Sequence, residues 1–201
     1  MDEAMHEFAP ANRTDGEIAR LVKTVVTPRP IAWISTVSDA GVDTLAPFSS
    51  YNYVSLKEPT VLFNTPNGER SELKDTARNA LESGEFVVNI VTEADIERMD
   101  HTSAALPEDE SEFDLVDIER GESRTVSAPR VADAAVSMEC RLHDSIEVHD
   151  KLMILGDVQY VHVDDDLLTD GQIDMRDLDT VGRLGRPYYT VSGPPAFERQ
   201  Y

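Results

Sequence analysis

The first periodic stretch of the chain has helical spacing. Ile18, Leu21, Val22 and Val25 recur at i, i+3, i+4 and i+7, which places one apolar stripe on a helix. Thr14-Asp15-Gly16-Glu17 ahead of it has the form of a capping box, with Thr14 at the N-cap and Glu17 three residues on. Pro28 and Pro30 end the helix. The pattern then changes to strands. Ile31 to Val37 is apolar and rich in β-branched residues, Asp39-Ala40-Gly41 is a turn, and Val42 to Phe48 returns, which predicts a hairpin. Val61-Leu62-Phe63, after Pro59, predicts a third strand. Asp75 to Leu81 reads as a helix closed by Gly84, and Glu85 to Val91 as a strong strand. Thr92 with Asp95 marks a further capped helix carrying Ile96 and Met99.

The second half is simpler. Residues 103–130 read as an acidic loop punctuated by Pro107 and Pro129. Ala135 to Val148 and Leu152 to Val163 are two long β-type runs that meet at His149-Asp150. Asp164 to Asp179 reads as irregular or briefly helical, and Tyr188 to Val191 as a last short strand before Pro194-Pro195. Helices are few and short, and strands come as hairpin neighbours. That predicts a mostly β (α+β) fold, an antiparallel split β-barrel with short peripheral helices. No internal repeat and no low-complexity linker divides the chain, so residues 1–201 are read as one domain with its core at about 27–191.

Charge narrows the field of functions. Asp and Glu number 39 against 18 Lys and Arg, a formal charge of −21. Such a surface repels phosphate backbones, so nucleic acid is an improbable partner. No apolar run reaches the roughly 18 residues of a membrane span. The acidic start MDEAMHEFAP lacks the pattern of a signal peptide, and a cytoplasmic protein is expected. The acids are spread along the chain and only four of the basic residues are lysines. This can be an ordinary solvated surface; the reading preferred here is adaptation to high salt, where a Debye length of about 3 Å at 1 M screens self-repulsion.

Several kinds of chemistry find no support. The chain has neither G-x-G-x-x-G nor G-x-x-x-x-G-K-[ST], and no G-x-S-x-G elbow. Cys140 and His143 fall on opposite faces of a strand, so no metal site is expected, and Cys140 reads as a small buried residue. The Asp164–Asp166 run with Asp170, Gly171 and Asp174 lacks the spacing of a calcium loop. Two segments carry more information. Thr44 to Asn52 runs from a strand into a loop of hydroxyls, an amide and aromatics, groups that suit a phosphate and a flat heterocycle. Lys74-Asp75-Thr76 opens a helix, where N–H groups and a lysine attract anions. Each also reads as an ordinary polar turn or cap.

Together with their neighbours these segments form a recognisable series. Thr27-Pro28-Arg29-Pro30-Ile31-Ala32-Trp33-Ile34-Ser35-Thr36, Ala46-Pro47-Phe48-Ser49, Lys74-Asp75-Thr76-Ala77-Arg78-Asn79 and Gly84-Glu85-Phe86-Val87-Val88-Asn89 occur in order. His101-Thr102-Ser103-Ala104, Met138-Glu139-Cys140-Arg141-Leu142, Leu155-Gly156-Asp157-Val158 and Arg183-Leu184-Gly185-Arg186-Pro187-Tyr188-Tyr189 follow. The ordered set, from Thr27 to Tyr189, resembles the flavin reductase-like family and in particular its flavoredoxin branch. It departs at Ser50, where an aromatic is common, and at Gly185-Arg186, where two glycines are common.

The resemblance implies an FMN-binding split barrel, usually a homodimer with flavin near the subunit interface; FAD is the alternative flavin. Carried over by position, Ser35 and Thr36 lie beside the flavin. Ser49, Ser50, Tyr51 and Asn52 contact the flavin or its phosphate, and Lys74, Asp75 and Thr76 serve the phosphate end. Trp33 is read as core. Arg29, Arg70, Arg78, Arg183 and Arg186 are candidates to offset the phosphate charge. The implied activity is an NAD(P)H:flavin oxidoreductase, with NADH or NADPH as donor and no catalytic side chain required, since the flavin takes the hydride. A monooxygenase supplied with reduced flavin is one implied partner. The competing readings are an electron-transfer flavoprotein serving an iron–sulfur partner and a flavin-binding module without turnover.

Overall fold

A computed structural model describes residues 5–69, 72–174, 176–185 and 187–193. Arg70, Arg186 and Pro194-Pro195, singled out above, lie outside the described residues. Helix α1, Asp15–Val25, starts at the expected capping box: Thr14 Oγ1 accepts from the Glu17 N–H, and Glu17 Oε2 accepts from the Thr14 N–H at 3.0 Å. After the short strand β1, Arg29–Pro30, come β2, Ala32–Val37, β3, Asp43–Phe48, β4, Tyr51–Ser55, and β5, Thr60–Pro66. Helix α2, Asp75–Ser83, ends on Gly84 in the left-handed conformation (φ +71°), which glycine adopts without a Cβ penalty. Strand β6, Glu85–Ile90, and helix α3, Ile96–His101, complete the first half.

The expected acidic loop holds more structure than its composition shows. It contains a helical turn, α4, Glu112–Leu115, and the short pair β7, Arg120–Gly121, with β8, Arg130–Val131. The two long strands are β9, Val136–Val148, and β10, Lys151–Val163. The Asp164–Asp179 stretch carries a small hairpin, β11, Leu168–Thr169, and β12, Gln172–Ile173, turned by Asp170 and Gly171, both at positive φ. Strands β13, Val181–Arg183, and β14, Tyr189–Val191, join β1 in a three-stranded sheet. Among the described residues no helix is long and apolar enough to cross a membrane.

Seven antiparallel strands form the main sheet in the order β3-β2-β6-β9-β10-β5-β4. Its two outermost strands, β3 and β4, are joined by only Ser49 and Ser50. Two residues span less than about 10 Å of chain, so the sheet has to curl until its edges meet. The result is the antiparallel split barrel that the strand pattern predicts. The sequence reading of Tyr51-Asn52 as loop is corrected here. Both belong to β4, with Tyr51 opposite Phe63 and Asn52 opposite Leu62. The polar composition that suggested a loop is that of an edge strand, whose middle residues face solvent.

Two cores flank strand β2, which explains its unbroken apolar run. Ala32 and Ile34 point into the barrel with Phe48, Phe63, Phe86 and Ile154. Phe48 and Phe63 lie 4.8 Å apart between ring centroids, Phe63 and Phe86 5.3 Å. Burying each such ring contributes about 1.5–3 kcal/mol. Ile31 and Trp33 point the other way, into a second cluster with Met99, Phe113 and Val181. Trp33 is fully buried, as expected, and its indole N–H donates to Thr102 Oγ1 at 2.9 Å. Gly156 is required by a close approach: a Cβ there would lie 2.3 Å from the Phe86 ring.

Candidate functional site

The barrel closure is also where a cleft opens. About 820 Å³ in volume, it falls within the range of small-molecule sites. One wall is the closing corner, with Pro47, Ser49 and Ser50, backed by Asn64 of β5 and Lys151 at the start of β10. The other wall is α1, through Gly16, Ala19, Arg20, Lys23 and Thr24. Arg29, Ile31, Met99, Arg183 and Tyr189 lie between them.

Its charge is opposite to that of the chain. Arg20, Lys23, Arg29, Lys151 and Arg183 line it, and no Asp or Glu does. Lys151 is paired with Asp150 at 2.7 Å. Among the described residues, no carboxylate oxygen lies within 4 Å of the charged groups of Arg20, Lys23, Arg29 or Arg183. In a protein of charge −21, four basic groups without an ion pair give this cleft a local positive charge that suits an anion.

Arg29 organises the cleft. Its Nε donates to the Ser49 carbonyl at 3.1 Å. Its terminal nitrogens donate to Lys23 O at 2.6 Å and Val26 O at 2.8 Å, at the C-terminal end of α1, and to Leu184 O at 3.3 Å. One guanidinium thus ties helix, barrel corner and C-terminal sheet together. Burial, and then the nearby charge of Arg183, pull its pKa down. Arg183 lies over the Tyr189 ring at 4.4 Å from the centroid. The Tyr189 hydroxyl donates to Asp100 Oδ1 at 2.6 Å, and burial followed by that bond pushes its pKa up to about 12.

The structure distributes the predicted site residues over three places. Ser49 and Ser50 line the cleft. Ser50 is fixed by β5: its Oγ donates to the Asn64 carbonyl at 3.2 Å, and its own carbonyl accepts from Asn64 N at 3.0 Å. Tyr51 packs its ring against the barrel core, where burial pushes its phenol up to about 12, and Asn52 is exposed. Ser35 and Thr36 are fully buried. Ser35 Oγ donates to the Pro129 carbonyl and accepts from Asn89 Nδ2, while Thr36 Oγ1 bonds Thr44 Oγ1 and accepts from Asn79 Nδ2. Their hydroxyls join β2 to its neighbours and are not presented at the cleft.

The third place is the start of α2. Lys74 is the exposed N-cap residue, with Nζ 5.9 Å from the Phe48 ring centroid, so it stands near the barrel corner without lining the cleft. Asp75 is paired with Arg78, which also reaches Glu108 at 3.1 Å, and Thr76 is buried. Arg29 and Arg183, expected as charge compensators, are in the cleft. Arg20, Lys23 and Lys151 were missed. Arg20 and Lys23 carried one signal, their i, i+3 spacing on the polar side of α1. Among the described residues no cluster of three potential metal ligands occurs, and Cys140 is buried, its thiol pKa raised by desolvation.

Comparison with known proteins gives this architecture its family. Residues 25–179 match the model of the flavin reductase like domain. The chain belongs to the flavin reductase-like family. An uncharacterized protein of Aquifex aeolicus is 37% identical over 178 residues, covering 88% of this chain and 91% of that protein. The crystal structure of nitrilotriacetate monooxygenase component B from Bacillus cereus superposes with a TM-score of 0.91 at 33% identity, covering 98% and 100% of the two chains. Flavoredoxin of Desulfovibrio vulgaris shares the fold, with a TM-score of 0.77 at 21% identity over 88% and 93%. The family implies flavin binding, and an acid-free cleft with hydroxyl and guanidinium donors fits a phosphorylated flavin.

Proposed function

We propose that this member of the flavin reductase-like family is an NAD(P)H:flavin oxidoreductase that binds FMN without a covalent bond. The observation that carries the reading is the cleft at the barrel closure, basic and free of acids in a protein of charge −21. When bound, the flavin accepts a hydride from the nicotinamide and carries the redox chemistry. The chain supplies binding and orientation. Ser49 and Ser50, with Arg183, Lys151 and the nearby Lys74, receive the flavin phosphate at the barrel corner. Arg29 positions that corner through the Ser49 carbonyl. Tyr51 and Asn52 shape its β4 side. Ser35, Thr36 and Thr76 act as buried struts, and the Asp75–Arg78 pair holds the first turn of α2.

The likeness to a monooxygenase component B supports a monooxygenase as consumer of the reduced flavin. A homodimer is part of the proposal. The apolar stripe of α1 is uncovered, with Val22 50% and Val25 67% exposed, and a second copy would bury it. A cytoplasmic protein adapted to salt accounts for the acidic remainder of the surface.

The test is an absorbance spectrum of purified protein with added FMN, followed by anaerobic NADH and then NADPH. Bleaching of the bound flavin by either nucleotide supports the reductase. A bound flavin that stays oxidised with both excludes it and leaves electron transfer to a protein partner.

A further inference from the structure

Helix α1 is docked the wrong way round for a helix held by its apolar face. Amphipathic helices turn that face toward the protein. Here the stripe Leu21, Val22 and Val25 is turned outward, 37%, 50% and 67% exposed, and no residue of the helix is buried. The side turned toward the cleft carries Gly16, Ala19, Arg20, Lys23 and Thr24. Arg29 secures this orientation through the Lys23 and Val26 carbonyls. Gly185 allows the helix to lie close, since a Cβ there would be 3.1 Å from Thr24 Cα. The fold therefore holds two cations over the cleft with no carboxylate oxygen within 4 Å among the described residues, Glu17 acting on Arg20 only from farther along the helix.

Those cations exceed what a flavin phosphate needs. One phosphomonoester carries a charge of about −1.5 to −2 at neutral pH. The corner already offers Arg183, Lys151 and two serine hydroxyls. Arg20 and Lys23 stand on the other wall, on a different element, and are available to a second anionic group. Gly16 and Ala19 beside them leave room for a bulky ligand. Between the two nicotinamide donors, one additional anionic group distinguishes them: the 2′-phosphate of NADPH.

We infer that Arg20 and Lys23 bind the 2′-phosphate of the nicotinamide donor, so that α1 selects NADPH over NADH. The inference rests on the flavin reductase reading for its catalytic meaning, but the binding it describes can be measured without turnover. Calorimetric titration of the full chain at one fixed ionic strength uses 2′,5′-ADP against 5′-AMP, and NADPH against NADH. The phosphorylated member of each pair is expected to bind at least about tenfold tighter. In the double variant Arg20→Gln, Lys23→Gln that ratio falls to near one, while Arg13→Gln, a cation outside the cleft, leaves it unchanged. FMN titration of the same proteins separates the two readings. Selective binding of 2′,5′-ADP without any flavin binding overturns the reductase and leaves the inference standing. Flavin binding with equal affinity for both members of each pair overturns the inference alone. A double variant that keeps the nucleotide preference, or that loses FMN instead, also overturns it.

Discussion

Two depressions of similar size treat arginine in opposite ways. The cleft at the barrel closure, about 820 Å³, is lined by five cations and no acid. A second depression of about 690 Å³ is lined by Asp43, Asp109, Glu110 and Asp114 around one cation, Arg120. Arg120 is saturated: it donates to Asp43 Oδ2 at 2.5 Å, to Asp114 Oδ1 at 2.8 Å and to Ser111 Oγ at 3.2 Å. Arg29 is equally engaged, but with carbonyl oxygens, which accept its hydrogen bonds and leave its charge in place. Arg120 is neutralised by carboxylates, whereas the cations of the cleft other than Lys151 keep their charge unpaired among the described residues. What sets the cleft apart is that its cations are gathered around one cavity with no acid in its lining, whereas the acids around Arg120 leave no excess positive charge there.

A fully buried carboxylate with every bond made sets the scale of that contrast. Glu139 has 0% exposure and its carboxylate accepts from the N–H groups of Arg124 and Thr125, at 2.7 and 2.6 Å, from the Thr125 hydroxyl, and bonds His162 Nε2 at 2.6 Å. Burial alone would raise its pKa; the bonds from His162, Thr125 and Arg124 outweigh that and hold it down at about 2. Glu139→Gln is expected to cost about 3 kcal/mol at pH 7 in urea unfolding. A pKa lowered on folding stabilises fully above the unfolded value of about 4.3 and ceases to do so as pH falls through about 2. The gap between wild type and variant therefore narrows below about pH 4. A gap that stays constant to pH 2.5 contradicts the assignment.

Smaller effects separate the two depressions directly. Arg29→Ala should lose about 2 kcal/mol of stability and at least about tenfold in FMN affinity, because α1 and the Ser49 carbonyl lose their common anchor. Arg120→Ala should lose about 1 kcal/mol in the same unfolding assay and leave the FMN titration unchanged. If both arginines affect flavin alike, the contrast drawn here is wrong. Arg183→Ala should weaken FMN about tenfold with little change in Tm, since its charge has no carboxylate partner to lose. Lys74→Ala is expected to weaken FMN a few-fold and Lys57→Ala not at all, at matched salt. Equal affinities in these two variants remove Lys74 from the phosphate site.

Much of the fold was legible because it follows from local patterns. The Thr14–Glu17 capping box, the Gly84 stop and the paired runs ending in β9 and β10 each announce themselves within a few residues. Strand β4 was not legible, because an edge strand with exposed Asn52, Tyr53 and Val54 has the composition of a loop. Strand β13 was missed for a related reason: its Val181-Gly182-Arg183 has too few apolar positions to show a period. The lining of the candidate cleft was half legible. Ser49 and Ser50 stood out by composition, and Arg29 and Arg183 through the family resemblance. Arg20, Lys23 and Lys151 come together only when the sheet closes and α1 docks with its polar side inward, and no local pattern encodes that. Ser35 and Thr36, placed beside the flavin by the family resemblance alone, have their hydroxyls engaged by Pro129, Thr44 and Asn79, a partnership no local pattern shows.

The claim that unpaired cations at the barrel closure exist to hold phosphate can be tested on the flavin itself. Fluorescence titration of the wild-type protein with FMN and with riboflavin, at one ionic strength, compares ligands that differ by one phosphomonoester. The account predicts FMN binding tighter by about thirtyfold or more, shrinking several-fold in Arg183→Ala. Equal affinity for FMN and riboflavin would contradict it.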